Sequence, residues 1–255
     1  MNLWHHKDHS GAVTAGEIGH SQYGTPLGEI IGADADCDAQ KWMLIPTNWA
    51  DSGGRWRGPE EWAQAMAPLC WGAWVELTPG AVNPGPTAVA RTALELRSFA
   101  ERFGGFDPKQ PFQIITYVYL PDPNRYAMPV HLWVDDRPGL TVEAATEDPD
   151  ATEPPKPEDF VTDALGKGRK VTTHGVLDPQ PGDLPGTQPM WVTVRYAFAV
   201  PARQAVVTVK ATETDLARMS AAAADLDEFV RTITLSLADN TPVVIGSTTG
   251  PAADP

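Results

Sequence analysis

Cysteine is nearly absent from the 255-residue chain: Cys37 and Cys70 are the only two. Two cysteines cannot build a disulfide framework, and their spacing is not the CxxC of a zinc or redox site. This excludes a disulfide-stapled secreted domain and points to a reduced, intracellular protein. Basic residues are also scarce. Nineteen Lys and Arg against 33 Asp and Glu give a net charge of -14, which excludes general nucleic-acid or anionic-membrane binding, since phosphate recognition needs clustered cations. Long apolar runs are missing too. None approaches the roughly 20 residues that span a bilayer, and residues 1–25 hold no apolar core of a signal peptide. The chain is therefore expected to be soluble and cytoplasmic, without membrane insertion, while export by a route lacking a classical signal stays open.

What is abundant is equally informative. The chain carries 25 prolines and 22 glycines, yet 42% of its residues are hydrophobic and nine are tryptophan. That is too apolar for a disordered protein, so a packed core interrupted by Pro-rich loops is expected. The abundance of Ala, Pro, Asp and Thr is what a high-GC bacterial genome would encode.

The chemical candidates are few. His5, His6 and His9 open the chain, with His20 shortly after; on a helix His5 and His9 would share a face and could chelate zinc, nickel or copper. No HExxH supplies a base, and no helical periodicity holds these ligands, so residues 1–39 read as a flexible arm with room for one short strand. Asp34, Asp36 and Asp38 match the first ligand positions of an EF-hand loop. The match then fails at Ala39 and Ile45, leaving a solvated acidic turn. GKGRK, residues 166–170, lacks the GxxxxGK[ST] spacing of a phosphate loop and reads as a basic turn. There is no GxSxG elbow. His131 and His174 remain as general acid–base candidates if the fold brings them to Asp135, Asp136 or Asp178, with His131 and Trp133 sharing a strand face near Arg195 and Lys210.

Periodicity organises the rest. KWMLIPTNW reads as a first strand. Pro59, followed by Glu60 and Glu61, starts a helix with Trp62, Ala65, Met66, Leu69 and Cys70 on its apolar side. A second helix spans about Thr87 to Phe103, with Val89, Ala93, Leu96, Ala100 and Phe103 as its stripe, Arg91/Glu95 and Arg97/Glu101 as i,i+4 pairs, and Gly104–Gly105 as its end. FQIITYVYL and MPVHLWVDD, residues 112–136, form a hairpin. The acidic, Pro-rich stretch from Glu143 to Asp159 reads as a solvated loop. RKVTTHGVL is a strand and PQPGDLPGTQP a loop. WVTVRYAFAV and AVVTVKAT then make a hairpin, followed by a helix whose seam is Leu216, Met219, Ala223, Leu226, Val230 and Ile233, with Thr212 and Asp215 as a capping box. TPVVIG is a short strand candidate.

Helices before and after antiparallel hairpins predict an α+β fold: a twisted antiparallel sheet packed with two or three helices in two layers. A single domain over 40–237 is expected, flanked by the arm and by a mostly disordered tail, 238–255. The segment WVTVRYAFAVPARQAVVTVKATETDLARMSAAAADLDEFVRTITL resembles the end of the PsbP-like fold, also used by LpqN-type lipoproteins. That resemblance implies a binding or assembly module; the lipobox of a lipoprotein is not present.

Five tryptophans, Trp49, Trp56, Trp62, Trp71 and Trp74, cluster in a short stretch and offer aromatic anchors for an interface. With no cofactor or metal motif complete, the sequence points to a non-enzymatic module that binds another protein. The alternatives are a small-molecule enzyme using His131 or His174 with nearby carboxylates, and a structural component of a phage or secretion assembly.

Overall fold

The computed structural model describes residues 30–47, 49, 55–104, 114–125, 127–177, 189–200, 204–237 and 242–243. His5, His6, His9, His20, Asp178, all but the last residue of the expected loop PQPGDLPGTQP, and residues beyond 243 lie outside the described residues. The fold is α+β: a seven-stranded antiparallel sheet with helices packed against it. Its strands are β2 (Trp42–Leu44), β3 (Ile114–Tyr119), β4 (Met128–Asp135), β5 (Lys156–Thr162), β6 (Gly166–Val176), β7 (Met190–Val200) and β8 (Ala205–Glu213). Their order across the sheet is β2-β3-β4-β8-β7-β6-β5. A second sheet has the order β1-β9-β10, from β1 (Ile30–Ala35), β9 (Ile233–Leu237) and β10 (Pro242–Val243). The contacts divide into two compact units. One takes in Cys37–Trp133 with Lys210–Glu213, the other Val134–Val209 together with β1 and everything from Thr214 onward.

In the first unit, α1 (Pro59–Leu77) and α2 (Pro86–Phe103) form a helical hairpin. Both begin with proline at the first helical position, where its missing N–H and fixed φ cost nothing. Met43, Ile45, Val118 and Leu120 from the strands enclose Trp62, Ala63, Met66, Ala67, Leu96 and Ala100 from the helices. The buried face of α1 is turned from the expected one: Ala63, Ala67 and Trp71 are inside, while Leu69 is exposed. The reason is α2, which claims the flank of α1 where Trp71 Nε1 donates to buried Thr92 Oγ1 at 3.1 Å. Gly104 ends α2 without a left-handed turn, its φ being -81°. Glycine is needed there for space, since a Cβ would run into the Ala100 carbonyl and the Trp49 ring.

In the second unit the glycines of β6 serve the sheet. Gly168 stands opposite Phe198 and Gly175 opposite Trp191, and each aromatic ring lies across the glycine where a Cβ would be. GKGRK is therefore strand, not turn. Only Gly166, with φ 70°, belongs to the reversal after β5. The acidic stretch expected as a solvated loop holds two elements: α3 (Val142–Thr146), capped by Thr141 accepting from Ala144 N, and β5, which pairs along its length with β6.

α4 (Leu216–Arg231) covers β5 and β7. Its N-cap is Asp215, accepting from Arg218 N at 3.1 Å, so the residue expected at the third helical position of a Thr212–Asp215 box is itself the cap. Its buried side is Met219, Ala222, Leu226, Phe229 and Val230, with Leu216 exposed. The helix stops at Arg231 because Ile233 opens β9, a strand whose partner β1 precedes Lys41, where order was expected to begin.

Candidate functional site

His131 is the strongest sequence candidate, and the sheet fixes its surroundings. It stands opposite Thr116 on β3, with Nδ1 3.0 Å from Thr116 Oγ1. The Phe103 ring lies edge-on to it at 4.7 Å between centroids, so α2 covers this face of β4. Burial, followed by the charges of Lys210 and Arg102, lowers the imidazole pKa to about 4. A neutral, hydrogen-bonded ring under an aromatic lid is a poor general base at neutral pH, because a catalytic base works best with its pKa near the operating pH.

The expected partners are engaged elsewhere. Asp135 receives Arg137 through both carboxylate oxygens, at 2.6–3.0 Å. Arg195 belongs to the second unit and faces Asp148, Nη1 to Oδ2 2.7 Å. His174 is also in the second unit, on β6, 3.9 Å from exposed Glu153. Its carbonyl accepts the Thr152 N–H at 2.9 Å. Thus His131 and His174 lie in different units. Among the described residues no group of three or more His, Cys, Asp or Glu side chains is placed to hold a metal ion. Of the acidic turn expected over Asp34–Asp38, Asp34 instead lies in β1 opposite Thr234, and Asp38 turns the chain, its Oδ1 accepting from Gln40 N at 2.9 Å.

No disulfide joins the cysteines. The Cys70 thiol lies 3.1 Å from Met43 Sδ, and burial pushes its pKa up to about 12. It is a core side chain, inert as a nucleophile.

Two polar clusters escape sequence reasoning, and both are in the second unit. Asp227 on α4 accepts from the Tyr196 hydroxyl at 2.6 Å and from Lys170 Nζ at 2.8 Å, all on Oδ1. Lys170 and Tyr196 are direct cross-strand partners, and Lys170 also lies over the Tyr196 ring. Burial and the Asp227 carboxylate hold the tyrosine far above its ordinary pKa. The cluster pins α4 to the sheet. On the opposite face Asp148, just past α3, meets Arg195, their side chains 7% and 10% exposed. The only local signal was alternation along the strands: 170 and 196 point one way, 169 and 195 the other.

The tryptophans are mainly core. Trp62 and Trp71 are buried, Trp49 and Trp56 pack on the same core, and Trp74 sits edge-on to Trp71 at 5.5 Å. Exposed apolar side chains are scattered over the described residues, Val82, Leu94 and Val161 among them, but along α1 they continue a buried stripe. Trp62, Met66, Leu69, Ala73 and Leu77 follow one another at three- and four-residue steps, so they form one stripe. Its exposure rises from 1% and 5% at Trp62 and Met66 to 43% and 56% at Leu69 and Leu77. A neighbouring polar groove, lined by Arg57, Glu61, Gln64, Arg97 and Glu101, is closed on itself by Arg57–Glu61 and Arg97–Glu101 ion pairs.

No helix among the described residues is long and apolar enough to cross a membrane. Comparison with protein-family models, with curated proteins and with solved structures finds no match.

Proposed function

We propose that the chain is a non-enzymatic interaction module of the bacterial cytoplasm that binds another protein through the C-terminal half of α1. One observation carries this reading: the stripe that packs Trp62 and Met66 into the core continues as exposed Leu69, half-buried Ala73 and exposed Leu77. Isolated exposed leucines are ordinary, but a continuous apolar stripe on a rigid helix is what a partner's apolar face recognises. The resemblance of the segment from Trp191 to Leu235 to the PsbP-like fold, read from the sequence, implies the same kind of role.

The test is a photo-crosslinking benzoylphenylalanine placed at Leu77, and separately at Leu94, which is exposed on the outward side of α2. In native lysate the Leu77 probe is expected to give one discrete protein adduct and the Leu94 probe none. Adducts of equal yield at both positions, or none at Leu77, refute the assignment.

A further inference from the structure

Three buried side-chain groups of the second unit have no hydrogen-bond partner among the described residues: Arg169 Nε, Arg195 Nη1 and Thr208 Oγ1. Such groups are rare in folded proteins, and an ion or water is a common reason for them. Register places the two arginines together. Arg195 stands opposite Val171 and Arg169 opposite Ala197, and residues two apart on a strand share a face. Glu143 of α3 reaches Arg169, and Asp148, just past α3, reaches Arg195, so this is the face beneath α3. Thr208 lies on β8, the strand next to β7, and is 1% exposed.

The two carboxylates leave these donors incompletely used. Asp148 balances the charge of Arg195 at 2.7 Å, but the Nη1 hydrogens do not point along that line. Glu143 is a looser partner, 3.6 Å from Arg169 Nη1, with its side chain 66% exposed. Two guanidinium forks on one face call for a compact ligand with several acceptor oxygens. We infer that the sheet face beneath α3 binds a small oxoanion of the phosphate or sulfate type, held by Arg169 and Arg195, and that Glu143 is the carboxylate it displaces. This site is independent of the α1 surface.

The experiment is calorimetric titration of the full chain with inorganic phosphate and with sulfate, against sodium chloride at matched ionic strength. Saturable binding is expected for the oxoanions and not for chloride. Arg169→Met should weaken it at least tenfold, and Arg169→Lys should restore it only in part, because an ammonium lacks the planar fork. Glu143→Gln, an exposed change that leaves the fold intact, should tighten binding by removing the competing carboxylate. Equal heats for phosphate and chloride overturn the site. So does a Glu143→Gln protein that titrates like the unaltered chain.

Discussion

The two units hold their helices to strands by different means. Around α1 and α2 the contacts are mainly apolar, with Trp62, Met66 and Leu96 set against Met43, Ile45 and Val118; of the polar exceptions, Trp71 to Thr92 and His131 to Thr116 join neutral groups, and the half-buried Glu95 carboxylate of α2 accepts from the backbone Ala127 N–H at 2.6 Å. In the second unit apolar packing under α4 is joined by buried or half-buried charges on both faces of the sheet, Asp227 with Lys170 and Asp148 with Arg195. Apolar packing is forgiving about partner identity but needs volume. A buried ion pair adds little net stability while both partners are present, yet it becomes costly when one is removed. The second unit should therefore be the one most sensitive to a single polar substitution.

Asp148→Ala tests that difference most severely. It strands the Arg195 guanidinium in the interior, and a loss of about 3–5 kcal/mol is expected. Adding Arg195→Met should recover most of it, because the uncompensated charge is then gone. Urea denaturation of the single and double variants measures both steps. A single variant as stable as the original chain would mean that α3 is not held by this pair and that the contrast between the units is false.

The apolar unit has its own weak point, and it is reached with acid. His131 has a folded-state pKa of about 4, below the ordinary imidazole value of 6.5. As pH falls, the unfolded chain takes up the proton first, so the stability that the neutral ring provides is whole above about 6.5. It drains between about 6.5 and 4, by up to about 3 kcal/mol. Protonation would place a cation beside Arg102 and Lys210 and beneath Phe103. Thermal midpoints measured from pH 7 to 4 should fall more steeply for the original chain than for His131→Gln. Parallel curves would show that the ring is not a titrating part of this core.

These contrasts also explain what could be read beforehand. The β3–β4 and β7–β8 hairpins, α2 and α4 announce themselves through local periodicity, and their existence needs nothing distant. The exact face of each helix does not, because Trp71 turns inward only when α2 supplies Thr92. β1 and β9 are strands because they pair across most of the chain, Ala35 with Ile233, and neither IIGADA nor ITLSL alternates clearly enough alone. Asp148 was hidden for a related reason. In a run of acids and prolines it looks like its solvated neighbours, and only the return of β7 brings Arg195 to it. The expected His131 cleft had the correct strand face but not its cover, since Phe103 at the end of α2 closes over the ring.

The smallest expected effect isolates the variable that matters. Arg97 and Glu101 on α2 approach to 2.6 Å, slightly closer than Arg195 and Asp148 at 2.7 Å. If distance ranked ion pairs, Glu101→Gln would be the more damaging change. Both Arg97 and Glu101 are open to solvent, however, so water and salt take over whatever charge interaction is lost, and neither group is left stranded. Glu101→Gln should leave the thermal midpoint where it is, at low and at physiological salt alike. A clear drop that disappears in salt would show that surface charge contributes to the first unit, and that its helices depend on more than the apolar seam. No drop, beside a large one for Asp148→Ala, makes burial and not proximity the property that separates the two units.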